Sequence, residues 1–354
     1  MVETSGKPRE ARIAFLDYLR IFAFSSVLIG HKFLTYFQDI ATNANVHASA
    51  RLLASYLIPL FTGGGAGVVV FFLVSGYIIT HVLQTERTLE FLVKRIFRIY
   101  PLYIVAVLLQ YRSLSAAGHS PDLSALWAQL SLFGDLFSTP IALNGVEWTL
   151  RVEVMFYLFM ACMRLCGFTT RFKPLLPYLL IGATFMCGVL APFPAGDVVT
   201  KGYCTIYAPF LLVGGMFYLY EKGQAGLLGL SVAIASCFYE YFSLIAIYQS
   251  PWLVYHFAVL AVAIFAICFK FRTGFSAPAW VLVLSDMTYG VYLFHNWLFD
   301  DLKKFLADAG VNLFNRDLQA LFALLFVCFL LMRFVEKPAI RLGRRFLKIA
   351  RIVS

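Results

Sequence analysis

The sequence predicts an all-α integral membrane protein of about ten transmembrane helices, with both termini in the cytoplasm. Of the 354 residues, 61% are hydrophobic and only 14% are charged. A water-soluble domain of this length cannot cover so much apolar surface. Apolar stretches long enough to cross a bilayer recur along the chain. The basic residues collect in alternate loops between these stretches.

The predicted spans follow one another with short polar connections. They are expected at about 14–36, 56–82, 100–111, 146–166, 175–192, 204–220, 226–248, 252–269, 279–299 and 318–335, on the 20-residue criterion. The two spans between 226 and 269 are the hardest to separate, because their turn near 249–251 is poorly marked. A short amphipathic helix at 122–137 is expected to lie on the membrane surface.

The loop charges set the orientation. If the N-terminus is cytoplasmic, the cytoplasmic segments hold 20 of the 29 basic residues, as the positive-inside rule requires. We therefore expect one membrane domain over 1–354. It would comprise a cytoplasmic N-terminus at 1–12, a transmembrane core at 13–336 and a basic cytoplasmic tail at 337–354.

The composition also argues against several classes of function. The net charge of +10 does not indicate nucleic-acid binding, because the basic residues lie in short loops between apolar spans. The seven cysteines fall inside or at the edges of apolar spans. Their spacing matches neither a metal site nor a disulfide framework, so we expect no metal.

The first span carries ionisable residues that a membrane helix rarely contains. Arg20 and His31 are eleven positions apart, which is roughly three turns plus 20°, so both lie on one face about 16 Å apart. Ionisable groups inside a membrane span are costly and indicate function by default. For Arg20 the alternative interpretation is a local ion pair with Asp17, one turn away.

Three residues from other spans are expected at the depth of His31. Trp148 and Glu153 lie in the first turns of the fourth span, and His295 lies near the outer end of the ninth. A neutral imidazole can remove a proton from a hydroxyl, and a carboxylate can orient that imidazole. The alternative is a structural His–Glu pair that fills a helix interface.

Arg95 and Arg98 are expected at the opposite depth, together with Arg20. The planar guanidinium binds phosphate through two parallel hydrogen bonds. A phosphate-bearing cofactor that arrives from the cytoplasm would therefore meet these side chains. The alternative for Arg95 and Arg98 is simple anchoring at the cytoplasmic face.

The glycine run at 63–67 is attributed to close helix packing rather than to binding an acyl oxygen.

Six motifs, taken together, resemble the acyltransferase 3 family of integral membrane O-acyltransferases. They are LDYLR followed after ten residues by His31, GVVVFFLVSGYII, KRIFRIYPLY, EWTLRVEVMFY, DMTYGVYLFH and VEKPAIRLGRR. They occur in the family's order between residues 15 and 345.

The resemblance implies transfer of an acyl group from acyl-CoA, usually acetyl-CoA, to a hydroxyl of an extracytoplasmic polysaccharide or glycolipid. The expected location is the bacterial inner membrane, with lipid around the spans. His31 would be the catalytic base or a transient acyl carrier, and Arg20 would position the donor. Arg95 and Arg98 would meet the phosphates of CoA.

We complete the predicted site with four further residues. Glu153 is assigned to catalysis, and Trp148, Tyr292 and His295 are assigned to acceptor binding. Arg151 stands where the resemblance leads us to expect a small polar residue. This favours an anionic donor such as succinyl-CoA, or an anionic acceptor.

Two other functions remain open at the level of sequence. Intramembrane His, Glu and Arg side chains also suit a proton-coupled transporter or flippase of a glycolipid. Such transporters often contain paired internal repeats, and the sequence shows none. A purely structural membrane subunit would leave the ionisable residues unexplained. The oligomeric state and the exact acyl group are left open.

Overall fold

The computed structural model describes residues 13–119, 122–196, 201–248 and 256–350. Within these ranges the chain forms 15 α-helices and no β-strand, which confirms the all-α class. The helices are α1 (Ala14–Lys32), α2 (Leu34–Thr42), α3 (Ala48–Phe61), α4 (Gly65–Val82), α5 (Thr88–Ala116), α6 (Leu123–Ser131), α7 (Trp148–Leu165), α8 (Leu176–Val189), α9 (Tyr203–Glu221), α10 (Leu227–Tyr248), α11 (Phe257–Lys270), α12 (Ala279–Phe294), α13 (Trp297–Asp308), α14 (Arg316–Leu331) and α15 (Lys337–Ile349).

Each of the ten predicted spans overlaps at least one helix, although the spans at 14–36, 56–82 and 279–299 each fall on two helices. Among the described residues, five helical segments are long and apolar enough to cross a membrane by length and composition: Ala14–Lys32, Ala48–Val82, Tyr203–Glu221, Leu227–Tyr248 and Arg316–Ile349. Three further apolar helices are shorter: Lys173–Val189, Phe257–Lys270 and Ala279–Phe294. The turn predicted near 249–251 lies outside the described residues, as does the N-terminal segment 1–12.

Two boundaries differ from the prediction. The second span is divided into α3 and α4 by Gly63 and Gly64, whose φ angles are 58° and 69°. Glycine adopts this left-handed conformation without the steric cost that other residues meet. The charged segment 84–98 was expected to separate two spans, but most of it forms the start of α5. There Lys94 donates to Glu90 one turn away at 2.7 Å, which supports the helix.

Helix α4 lies at the centre and is almost entirely buried. Its approach to α9 depends on glycine at two points. A Cβ at Gly76 would lie 1.9 Å from the carbonyl oxygen of Leu211, and one at Gly214 would lie 2.1 Å from that of Leu73. Gly67 permits the same approach to α1, where a Cβ would lie 2.3 Å from a backbone oxygen. Small residues that let backbones meet are the usual basis of helix packing in membranes.

Helix α1 is held by polar contacts along its length. The Asp17 carboxylate accepts a hydrogen bond from the Ser285 hydroxyl of α12 at 2.6 Å. Lys32 donates to Asp300 of α13 at 2.8 Å. In between, the Ser26 hydroxyl donates to a backbone carbonyl near the end of α3 at 2.6 Å. These contacts fix the helix that carries both Arg20 and His31.

A buried ion cluster fastens the segment before α7. Arg151 is 1% exposed, and its Nε donates to Glu147 at 2.9 Å while its Nη1 donates to Asp135 at 2.7 Å. Its Nη2 also donates to the carbonyl oxygen of Pro140 at 3.2 Å. All three guanidinium nitrogens of Arg151 therefore donate hydrogen bonds inside the protein. Arg151 therefore gives no support for an anionic donor or acceptor, because its charge is already paired inside the protein, and the choice of acyl group stays a prediction.

Candidate active site

Three cavities follow one another along the face of α1 that carries Arg20 and His31. The first, which we call the cationic cavity, has a volume of about 530 Å³. The second, the middle cavity, is narrower. The third, the histidine cavity, has a volume of about 260 Å³. Their polar linings differ, and the sequence-predicted site residues are divided among them.

Neighbouring cavities share wall residues. The cationic and middle cavities are both lined by Arg20, Arg95 and Arg98. The middle and histidine cavities are both lined by Val27 and Tyr292. On α1 the order Arg20, Val27, His31 follows the same sequence of cavities. The three cavities therefore adjoin one another in series through the helix bundle, and we call this series the path.

The cationic cavity is lined by more basic than acidic side chains. Its six basic residues are Arg20, Lys94, Arg95, Arg98, Arg344 and Lys348, and its three acidic residues are Glu86, Glu90 and Asp286. A concave surface with excess positive charge attracts anionic ligands.

The basic residues differ in how far the protein neutralises them. Burial disfavours the charge on Lys94, but hydrogen bonds to Glu86 and Glu90 outweigh it and raise the pKa of the ammonium. Arg20 lies 3.6 Å from Asp17, so the local pair considered from the sequence is present. Arg98 lies 3.8 Å from Glu336.

Arg95 contacts aromatic rings and leaves one of its guanidinium nitrogens without a hydrogen bond among the described residues. Its guanidinium lies over the rings of Phe91 and Tyr157, 5.4 and 5.9 Å from their centres. Its Nε is buried and has no hydrogen-bond acceptor in the described part of the chain. A buried donor without a partner is costly, so an anionic ligand in the cavity would complete its hydrogen bonding.

Glu153 lies on the wall of the middle cavity. Its carboxylate accepts a hydrogen bond from the Ser75 hydroxyl of α4 at 2.7 Å. It is not among the residues that line the histidine cavity with His31. A role for Glu153 in orienting His31 therefore stays a prediction, and the contact that the structure gives it is with Ser75.

The structure brings together the two histidines that the sequence placed at one depth. The rings of His31 and His295 are 5.1 Å apart, centre to centre, and both line the histidine cavity. The Nδ1 of His295 lies 2.7 Å from the carbonyl oxygen of Tyr292. Since a carbonyl only accepts, Nδ1 carries the proton in the neutral ring and Nε2 has a free lone pair.

That Nε2 atom has no hydrogen-bond partner among the described residues, although His295 is 1% exposed. Hydrogen bonding at one imidazole nitrogen sets the role of the other. His295 therefore presents a fixed acceptor beside His31.

Trp148 and Tyr292 supply aromatic walls to the same cavity. The Trp148 ring lies 5.4 Å from that of Tyr203 and 5.0 Å from that of Tyr207, between ring centres. The Tyr292 ring stacks on Phe71 at 5.9 Å, and its hydroxyl shares a hydrogen bond with Thr149 at 2.6 Å. Apolar ring faces and polar ring edges meet in one cavity, as in many small-molecule sites.

Several residues of these cavities were not found from the sequence. Ser75 is one of them, because its contact with Glu153 joins residues 78 positions apart, which no local pattern signals. Asn144 of the histidine cavity lies in an irregular loop. Arg344 and Lys348 were assigned to the basic tail. Their amphipathic spacing over 337–349 was the one available signal.

No group of three or more His, Cys, Asp or Glu side chains in the described ranges is arranged to hold a metal ion.

The family model described as "Acyltransferase domain", that of the acyltransferase 3 family, matches residues 13–334. No curated protein and no solved structure matches the chain.

Proposed function

The chain belongs to the acyltransferase 3 family, and we propose that it moves an acyl group from cytoplasmic acyl-CoA to a hydroxyl outside the membrane. The proposed acyl group is acetyl. The acceptor is a polysaccharide or a glycolipid. The observation that carries the proposal is the series of adjoining cavities from the cationic cavity to the histidine cavity.

The proposed topology has ten spans, with both termini in the cytoplasm of a bacterium and the protein in its inner membrane. The positive-inside distribution of basic residues supports this orientation. It places the cationic cavity at the cytoplasmic face and the histidine cavity toward the outside. The donor then enters from one side of the membrane and the acceptor from the other.

The residues of the cationic cavity fit the phosphate groups of acyl-CoA. Arg20, Arg95 and Arg98 lie where the cationic and middle cavities join, and the unpaired Nε of Arg95 is a ready donor for a phosphate oxygen. Bidentate guanidinium–phosphate bonds are among the strong hydrogen bonds in proteins. The pantetheine arm of the donor would extend from there through the middle cavity toward His31.

His31 is the proposed base. It removes the proton of the acceptor hydroxyl while that oxygen attacks the thioester carbon. The carbon–sulfur bond then breaks, and the proton on His31 passes to the departing CoA thiolate. General base catalysis of this kind contributes roughly 10²- to 10⁴-fold to a rate. In the alternative route, His31 carries the acyl group transiently before the hydroxyl attacks.

His295, Trp148 and Tyr292 are the proposed acceptor-binding residues. The free lone pair on Nε2 of His295 would accept a hydrogen bond from a hydroxyl of the acceptor and hold it beside His31. The aromatic walls would bind the apolar face of a sugar ring. Glu153 remains a proposed catalytic residue, located on the path between the donor cations and the histidines.

The test compares cell-surface glycans from cells that carry the wild-type chain, the deletion, His31→Ala, or the control His119→Ala. His119 is an exposed loop histidine. With protein levels matched, mass spectrometry before and after mild base should reveal an ester of acetyl mass in the wild type and the control. The ester should be absent from the His31→Ala and deletion cells. An identical ester pattern in all four strains would refute the acyltransferase proposal.

A further inference from the structure

Helix α15 contains two pairs of basic residues in different surroundings. Arg344 and Lys348, one turn apart, line the cationic cavity. Arg341 and Arg345 lie on the same helix but are not among the lining residues, and all four side chains are exposed. The positive-inside rule accounts for basic residues near a membrane surface. It does not account for two of them on the wall of a cavity.

The packing of α15 fixes the part of the helix that carries these two residues. Leu347 is fully buried. A Cβ at Gly343 would lie 2.7 Å from the side chain of Phe97, so the glycine permits α15 to pack closely on α5. The helix follows a π-helical segment, Met332–Glu336, a feature that is frequent at functional sites. The match to the family model ends at 334, so it assigns no role to α15.

The acidic residues of the cavity are already bound to other cations. Glu86 and Glu90 both accept from Lys94 at 2.7 Å. The carboxylate of Asp286 lies 3.0 Å from the ammonium of Lys337, a residue that does not line the cavity. Within the described ranges, Arg344 and Lys348 form no ion pair. The cavity therefore carries two positive charges that no ion pair among the described residues compensates.

The cavities also order the basic residues along the path. Arg20, Arg95 and Arg98 line both the cationic and the middle cavity, whereas Arg344 and Lys348 line only the cationic one. The latter pair is thus farther from His31. Coenzyme A carries phosphate in two places, the pyrophosphate at the root of the pantetheine arm and the 3′-phosphate on the ribose. With the pantetheine arm in the middle cavity and the acyl end toward His31, the ribose lies farther out than the pyrophosphate.

We propose that Arg344 and Lys348 bind the 3′-phosphate of acyl-CoA, which makes α15 a part of the donor site. This inference rests on the proposed function, because it takes acyl-CoA as the occupant of the path. It adds a recognition element for the coenzyme on α15, where Arg344 belongs to the VEKPAIRLGRR motif. A donor that lacks the 3′-phosphate would lose these two contacts and keep those to Arg20, Arg95 and Arg98.

The experiment titrates the purified full-length protein, in detergent without anionic lipid, with CoA and with dephospho-CoA. Dephospho-CoA lacks only the 3′-phosphate. In calorimetry the wild type should bind CoA about tenfold more tightly, which corresponds to about 1.4 kcal/mol. The double variant Arg344→Ala/Lys348→Ala should bind both ligands with the weaker affinity. The control Arg341→Ala/Arg345→Ala removes the same charge from the same helix and should retain the preference.

Each contrary result has its own meaning. Equal affinities of the wild type for the two ligands, or an equal loss of preference in both double variants, would overturn the inference alone. A wild-type protein that binds neither ligand would overturn the proposed function with it. If phosphatidylglycerol vesicles abolish the preference and phosphatidylcholine vesicles do not, the two side chains hold a lipid headgroup and the inference fails. Matched thermal unfolding of the variants shows that each is folded.

Discussion

Replacing Arg151 by methionine should destabilise the protein far more than replacing an exposed arginine. Arg151 is the shared partner of Glu147 and Asp135, which are 0% and 7% exposed in their side chains. Methionine is of similar length but leaves both carboxylates without their counter-charge. Removing one partner of a buried ion pair costs about 3–5 kcal/mol. The ratio of folded to unfolded protein should fall by about a hundred- to several-thousand-fold.

The assay is reversible unfolding of the purified protein in mixed micelles, followed by tryptophan fluorescence. Arg112→Met is the control, because Arg112 is exposed on α5 and a surface substitution should stay within about 0.5 kcal/mol of the wild type. The double variant Arg151→Met/Glu147→Gln should lose less stability than the sum of its two single variants, since the two side chains interact directly. Equal stability of Arg151→Met and Arg112→Met would refute the reasoning.

Two further predictions concern the contacts of α4. Gly76→Ala should force α4 and α9 apart, because the added Cβ would lie 1.9 Å from a backbone oxygen. The melting temperature of this variant should fall. The control Gly182→Ala, where no atom lies within 4 Å of the added Cβ, should have the melting temperature of the wild type or a slightly higher one. Ser75→Ala should remove the hydrogen bond that Glu153 accepts at 2.7 Å and cost about 1–3 kcal/mol of stability, the usual penalty for a buried group left unpaired. An unchanged unfolding midpoint for Ser75→Ala would show that water or another side chain replaces the hydroxyl.

The fold class and the helices could be predicted because apolar length is a local property of the chain. The charged start of α5 was not predicted to be helical, because only apolar length was used to predict helices. Its charges form hydrogen bonds within one turn and with Glu86, and these pairs let a charged segment remain helical. The division of the second span was missed because the glycine run was taken as a packing surface only. Its first two members also take left-handed conformations that end one helix before the next begins.

The candidate site was predictable in its residue types and less so in its pairings. Helical periodicity placed Arg20 and His31 on one face of α1, and both line the path. The predicted depth along the spans correctly grouped His295 with His31. It also grouped Glu153 with them, whereas Glu153 lines the middle cavity. Depth orders residues along the membrane normal, whereas contacts depend on how helices rotate and pack. Arg151 misled for a related reason, because its partner Asp135 comes from a loop that no periodicity describes.

The central proposal is that the donor enters at the cationic cavity and the acyl group leaves at the histidine cavity on the other side. Labelled acetyl-CoA supplied to sealed membrane vesicles of either orientation tests it most directly. We predict base-labile label on glycans of inside-out vesicles, little in right-side-out vesicles, and none in either when they carry His31→Ala. Equal labelling in both orientations, or labelling that persists in the His31→Ala vesicles, would contradict it.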